Sequence, residues 1–508
     1  MVRRPSLLER CINWVEKAGN KLPHTFLLFL YITILILILA HALNGTSFTV
    51  PGQPEKLQVT TLLTADGLRY MLTNMVGNFV NFPPIGLVIP IVIAVGIGEE
   101  AGLFRAAIVK LVRSVPRSLI TAVFFFAGVN GNLASDASAV IFPAVGAALF
   151  QGLGRNPLIG VVSGYAAYLG GLSANVLIVG TDATASGITA SAAQLLPVTA
   201  STPIHPAINW YFMAASAILL TVVGTYVTEK IVAPMLEEQP VMLSEASQSQ
   251  ALELGESENR GLKYAGIALV AYVVILLALS VPNGALLRDP ETNAILPRSP
   301  LIQSIVPLVV FLFMATGIAY GIGAGTIKSS YDVGRYMGKG ISSIASFLVL
   351  AFFAAQFIDY FNKTNLSTFI AVQGAHALGS IGFTGIPLLI AVVFFVCLMN
   401  FAVGSAAAKW AMLAPVLVPM MGLLGYSPAF AQCAYRIGDA VTNPVSPLGS
   451  YLPILLGFLQ MYKKDAGVGT AIAYELPYAI SFIVMWTILL IVWYLLGLPI
   501  GPGAYIFL

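Results

Sequence analysis

The sequence predicts an all-α polytopic membrane protein: nine transmembrane helices plus two opposed re-entrant hairpins, arranged as an inverted repeat with broken helices. Three observations carry this. Hydrophobic residues make up 58% of the chain and charged residues 9%, against about 45–50% and about 25% in soluble domains. So few charges could not cover a water-facing surface, whereas lipid accepts apolar side chains all round. Basic residues fall into clusters separated by long charge-free runs. Two Gly- and Pro-rich segments resemble each other.

The charge-free runs place the spans. Phe26–Ala42 carries no charge apart from His41, and Pro83–Gly98, extended by Phe79 and Phe82, is a second apolar run. Between Arg117 and Arg155 the only charge is Asp136, and between Arg155 and Glu229 it is Asp182. Tyr264–Val281, Leu301–Gly325, Ile341–Ile358 and Leu476–Leu498 read as further spans. Between Lys363 and Lys463 the charges are Lys409, Arg436 and Asp439.

The positive-inside rule orients them. Arg3, Arg4, Arg10, Lys17 and Lys21 put the N-terminus in the cytoplasm, ahead of a first helix that does not read as a cleavable signal. Arg105–Arg117, Lys328–Lys339 and Lys463–Lys464 form later inner loops. The outer loops, around 44–75 and 282–300, hold only Lys56, Arg69, Arg288 and Arg298. The two classes alternate if 119–154 and 386–425 each enter and leave on one side. Each is then a re-entrant hairpin, and the C-terminus lies outside.

This divides the chain into N-terminal scaffold helices (1–118), a first core repeat of hairpin and broken helix (119–200), and more scaffold helices (201–385). A second core repeat (386–461) and a C-terminal helix (462–508) follow. The Glu-rich stretch 229–260 reads as a cytoplasmic linker.

Within the repeat, Asn130 matches Asn400 and Ser135 matches Ser405; Gly154-Arg-Asn-Pro157 matches Gly425-Tyr-Ser-Pro428, and Asn175 falls near Asn443. Opposed hairpins make the repeat inverted, which in transporters sets a substrate site at the repeat interface near the midplane. The tips (Asn130–Asp136 and Asn400–Ser405) and the interruptions (Gly170–Asn175 and Val441–Pro447) are small, polar and Gly- or Pro-bearing. Irregular backbone at membrane depth survives only where protein or water covers it. Free N–H ends suit a carboxylate, and free C=O ends with Asn and Ser oxygens suit a small cation.

Charges inside spans are costly and mark function by default. Arg436 and Asp439 are three apart and could pair; the alternatives are a structural brace or a site. In the second case Arg436 or Lys409 meets a substrate carboxylate, while Asp136, Asp182 and Asp439 handle Na⁺ or H⁺ coupling, with Na⁺ near Asn130, Asp182, Asn400 and Asp439. Lys409 could instead snorkel toward a headgroup. Trp410 could line the cavity or be a packing residue. Cys11, Cys397 and Cys433 form no disulfide or metal pattern, and a net charge of +3 argues against nucleic-acid binding. No P-loop, GxSxG or HExxH occurs. No cofactor beyond a coupling ion is expected. An intramembrane enzyme built on Asp182 and Asp439, or a channel, are the readings from other classes.

The chain resembles the AbgT family of p-aminobenzoyl-glutamate transporters along nearly its whole length. The likeness lies in WVEKAGNKLPHTFLLFLY, ASDASAV, SANVLIVGTDATASGIT, NWYFMAAS, GSAAAKWAMLAPVLVPM, AQCAYRIGDAVTNPVSP, GFLQMYKKDAGVGT and LGLPIGPGAY. The resemblance implies nine membrane helices, two opposed hairpins, an inner core for substrate, and an outer scaffold for homodimerisation in the lipid of the inner membrane. It implies a site at Asp182, Trp410, Pro428, Arg436 and Asp439, with the tip residues Asn130, Ser135, Asn400 and Ser405 alongside. The activity it implies is cation-coupled import of p-aminobenzoyl-glutamate by alternating access, or export of sulfonamides and p-aminobenzoate-like metabolites. That substrate has two carboxylates for Arg436 and the helix N-termini, and a ring for Trp410.

Overall fold

A computed structural model describes residues 25–51, 55–240, 254–296, 299–447 and 449–508, except the side chains of Thr25, Ala134 and Ser135. The basic N-terminus, most of the Glu-rich stretch, Arg298 and the Ser135 side chain therefore lie outside the described residues. The described chain is helical apart from a two-stranded antiparallel hairpin pairing Ser47–Thr49 with Lys56–Gln58. Among the described residues, seven helical stretches are long and apolar enough to cross a bilayer, and five shorter apolar helices accompany them.

Burial separates two kinds of helix. Glu256–Ser280 buries only Gly261, Ala265 and Ser280, although beyond Lys263 it is apolar all round; such a helix fits a lipid surround. Pro157–Gly170 and Pro428–Val441 bury all 14 residues each. These two form the axis of the core. Gly160 lets the first sit backbone to backbone on Ser138–Gly152, since a Cβ there would meet the Gly146 carbonyl oxygen at 1.9 Å. Gly160 and Gly164 are one turn apart, the small-residue spacing of close-packed membrane helices.

The repeat is built twice in the same way. In the first half, arms Ile120–Val129 and Ser138–Gly152 flank a 3₁₀ tip (Asn130–Ala137) and both pack on Pro157–Gly170. In the second, arms Gly385–Asn400 and Ala406–Leu423 both pack on Pro428–Val441. The matched turns share their stereochemistry. Gly154 (φ 75°) and Gly425 (φ 89°) take the left-handed conformation. Asn156 and Ser427 then cap the next helix, and Pro157 and Pro428 open it, where a missing N–H costs nothing. Each axial helix stops at a break, 171–179 or 442–451, before Gly180–Ala193 or Leu452–Tyr462 resumes.

Further helices pack around these elements. Pro83–Ala101 carries Ile305–Ala324 and Ser330–Ser343 on one side and touches Gly180–Ala193 on the other. Asp359 on Ala345–Lys363 accepts from Tyr70 (3.0 Å) and Asn78 (2.9 Å) on Ala65–Val80. Two expectations change here. The outer loop expected to run to residue 75 ends at Thr64, which caps Ala65–Val80. The linker expected from Glu229 begins later, because the helix from Trp210 continues to Glu237; Arg155 pairs with both Glu229 and Glu237 at 2.9 Å and neutralises that end.

Candidate functional site

Each hairpin tip holds its own break through an asparagine. The Asn130 side-chain oxygen accepts the Val176 backbone N–H at 2.9 Å, and its amide donates to the Phe126 carbonyl. Asn132 donates to the Leu172 carbonyl. In the second half the Asn400 amide donates to Thr442 Oγ1 (2.9 Å), the Asn443 side-chain oxygen (2.8 Å) and the Asp439 carbonyl (3.1 Å). Buried backbone groups need such partners: Asn130 and Asn132 serve backbone groups of the first break, and Asn400 serves one helix carbonyl and two side chains at the second.

Two ion pairs cross this layer, and both are shut off from solvent. Arg436 Nη1 meets Asp182 Oδ1 at 2.6 Å, with side-chain exposures of 4% and 5%. Arg436 also donates to the Ser173 carbonyl (2.7 Å) and approaches the Asn175 oxygen at 3.4 Å. Asp182 Oδ2 accepts from Asn175 and from the Val179 N–H, each at 2.8 Å. Asp182 thus sits in the first turn of Gly180–Ala193, and Arg436 binds a carbonyl just beyond the end of Pro157–Gly170. Both charges suit the ends of the broken helix, anion at the N-terminal end and cation at the C-terminal end.

Lys409 Nζ meets Asp439 Oδ1 at 2.6 Å, with exposures of 0% and 3%. Lys409 also donates to the Asn400 side-chain oxygen. Tyr435 donates to Asp439 (3.2 Å) and to the Ala406 carbonyl (2.5 Å).

This corrects two expectations. Arg436 and Asp439 do not pair with each other; each finds a partner on another helix, because the first break offers Arg436 a carboxylate and a carbonyl together. Lys409 does not snorkel: it is buried, and Asp439 neutralises it.

The other expected residues are placed as follows. Trp410 is 1% exposed, stacked on Tyr435 at 4.4 Å between centroids. Its indole N–H donates to Thr189 Oγ1 (2.9 Å), so it packs inside the core. Ser405 caps Ala406–Leu423. Pro428 opens its helix more than two turns before Arg436. Asn175 and Asn443 lie in the breaks, Asn443 approaching the Leu169 carbonyl at 3.5 Å. Asp136 is exposed at the first tip and accepts from Tyr451 at 2.5 Å; it does not join the ion pairs.

Sequence reasoning passed over Gln432, which bridges Thr189 (2.5 Å) and Asn209 (2.6 Å) while fully buried. The signal was present: Gln432, Arg436 and Asp439 recur at helical spacing as one polar stripe. Among the described residues, no three His, Cys, Asp or Glu side chains cluster as metal ligands would. Beside the first tip lies an apolar cavity of about 310 Å³, lined by Phe104, Ile108, Phe126, Asn130, Val176 and Leu177. Val176 and Leu177 in its lining belong to the same break that Arg436 touches at Ser173 and Asn175.

Paired half-helices with buried charges at a repeat interface define a membrane transporter, not an enzyme. The comparisons name the family. The model of the AbgT putative transporter family matches residues 10–508, and the chain belongs to that family. It is 38% identical over 496 residues to the p-aminobenzoyl-glutamate transport protein of Escherichia coli (strain K12), covering 97% of this chain and 96% of that one. The YdaH transporter of Alcanivorax borkumensis superposes with a TM-score of 0.89 at 36% identity, over 94% of this chain and 100% of that one. MtrF of Neisseria gonorrhoeae, described as illuminating a class of antimetabolite efflux pumps, gives 0.90 at 38% identity, over 98% and 100%.

Proposed function

We propose that this protein carries p-aminobenzoyl-glutamate across the cytoplasmic membrane by alternating access, coupled to a cation. The observation that carries this is the two buried ion pairs, Arg436–Asp182 and Lys409–Asp439. A substrate with two carboxylates matches two cations, each now occupied by an aspartate. Once a proton neutralises the aspartate, its cation is free for a substrate carboxylate. The groups that touch Asp182 are N–H donors, whereas Na⁺ is held by oxygens, so in this packing they do not form a Na⁺ cage. The substrate ring suits the apolar cavity at Phe104 and Phe126. The likeness to the Escherichia coli transport protein supports the substrate. The same reading includes nine spans, two re-entrant hairpins, a cytoplasmic N-terminus and a homodimer.

A second reading, proton-coupled export of sulfonamides or p-aminobenzoate-like compounds, is favoured by the likeness to MtrF. The deciding experiment is uptake of labelled p-aminobenzoyl-glutamate into proteoliposomes, with Na⁺ and pH gradients imposed separately. Saturable uptake driven by the pH gradient is the expected result. No uptake under either gradient, with sulfonamide efflux instead, selects the second reading.

A further inference from the structure

A further buried carboxyl in the membrane region belongs to neither ion pair. Glu475 lies in Val468–Leu496, is fully buried, and has no hydrogen-bond partner for either carboxyl oxygen. Facing it from Pro157–Gly170 is Tyr165, also fully buried, whose hydroxyl is likewise unpartnered. Buried polar groups are rarely left so, and each exception asks for a reason.

Among the described residues, no cation pairs with it. Val468–Leu496 packs against Pro157–Gly170, Trp210–Val227, Thr228–Val232, Gly385–Asn400, Pro428–Val441, Asn443–Val445 and Leu452–Tyr462. The titratable groups in electrostatic reach of Glu475 are Tyr165 and, one turn along its own helix, Tyr478. The other titratable groups on these elements, Tyr168, Tyr211, Tyr226, Glu229, Lys230, Cys397, Cys433, Tyr435, Arg436, Asp439 and Tyr462, make no hydrogen bond or ion pair with its carboxyl oxygens. A carboxylate without cation or donor is not tolerated in such a place, so the carboxyl is uncharged here.

Hydroxyl groups lead away from it in two directions. Tyr168 lies three residues beyond Tyr165 and packs on Tyr451, which donates to the exposed Asp136. On the other side Tyr478 shares a hydrogen bond with Thr228 (2.7 Å), beside Glu229, which accepts from Thr121 (2.6 Å). Pro477 denies the Ala473 carbonyl its helical donor and loosens the ladder around Glu475. The helix touches both axial helices of the repeats.

We propose that Glu475 is a proton-binding site of the transport cycle, separate from the two substrate-facing ion pairs. It holds one proton while the core is packed as seen, and releases it when that packing opens and water reaches the carboxylate. The inference rests on the proton-coupled reading above, but its test need not share that reading's fate.

Two measurements on the full-length protein test it. In proteoliposomes, Glu475→Gln is expected to lose pH-gradient-driven uptake of p-aminobenzoyl-glutamate by an order of magnitude or more, while substrate-for-substrate exchange continues; Glu475→Asp, which can still bind a proton, recovers part of the driven uptake. Uptake in Glu475→Gln that follows the pH gradient as in wild type overturns the proposal. Independently of substrate, infrared spectra of the wild type should show the carbonyl stretch of a protonated carboxyl that disappears in Glu475→Gln and shifts in Glu475→Asp. The absence of any such Glu475-dependent band also overturns it. If the wild type moves no p-aminobenzoyl-glutamate but the band is present and lost in Glu475→Gln, the proton site stands and the substrate assignment falls.

Discussion

The two repeats share a backbone and divide the chemistry unequally. Both have a left-handed glycine, a capped helix opened by proline, a break, and a tip asparagine reaching into that break. Yet the first supplies one carboxylate to the charged layer, Asp182, whereas the second supplies Lys409, Arg436 and Asp439. The shared part makes helix ends; the unshared part gives a site polarity, which a substrate with distinct ends requires. The pairs differ too. Arg436–Asp182 joins the two repeats and agrees with the dipoles of the broken helix. Lys409–Asp439 stays within the second repeat and opposes its helix ends, with a cation in the first turn of Ala406–Leu423 and an anion in the last turn of Pro428–Val441. The first pair is therefore a bolt between halves, and the second a more easily opened contact within one half.

The largest effect should come from breaking the bolt. Arg436→Ala leaves Asp182 buried without its cation, a loss of about 3–5 kcal/mol for a severed buried pair. Transport is expected to vanish, and thermal unfolding in detergent to shift downward. Arg436→Lys should not restore either, because one ammonium cannot reproduce the fork that meets both Asp182 and the Ser173 carbonyl. Full activity in Arg436→Lys would show that the bolt is only a charge.

The comparison sharpens in a double-mutant cycle. Lys409→Met alone strands Asp439 and should destabilise less than Arg436→Ala, since the lost pair opposed its helix ends. Adding Asp439→Asn should recover much of that loss, because neutralising both partners of a buried pair is often close to neutral. Coupling between Lys409 and Asp182, which share no contact here, should stay within about 0.5 kcal/mol. Strong coupling there would merge the two pairs into one network.

How much of this could be read beforehand follows the same division. The apolar runs, the doubled segments and the rare charges within them are properties of short windows, so the membrane class and the residues of the charged layer were legible. Pairing is not a window property. Arg436 and Asp439 share a helix face, and their true partners, Asp182 and Lys409, come from other helices that only the fold brings near. Lys409 carried no local sign of being buried. Glu475 was overlooked because the apolar run from Leu476 begins beside it, and only the helix starting at Val468 shows it to be inside. The helix Ala65–Val80 was hidden in the same way by Asp66 and Arg69, which are exposed at its start.

A smaller effect compares the tips. Asn130→Ala leaves the Val176 N–H without its acceptor, a cost of about 1–3 kcal/mol. Asn400→Ala should cost more, because Asn400 serves Thr442, Asn443, the Asp439 carbonyl and Lys409 together. Unfolding midpoints of the two variants check the order; equal values would mean that the second tip bears no more of the charged layer than the first.

The smallest effect is expected at Trp410, where it separates a core residue from a substrate-facing one. Trp410→Phe removes one indole donor but keeps an aromatic ring against Tyr435. Thr189 Oγ1 loses the donor at 2.9 Å but keeps its bond to Gln432 at 2.5 Å. The net loss should be about 0.5–1.5 kcal/mol, the worth of one hydrogen bond. Uptake kinetics then decide the role. A packing tryptophan predicts a KM close to wild type with slightly lower thermal stability. A tryptophan that meets the substrate ring after the ion pairs open predicts a raised KM at unchanged stability, and would place the aromatic end of the substrate in the second repeat, on the side that already holds both cations.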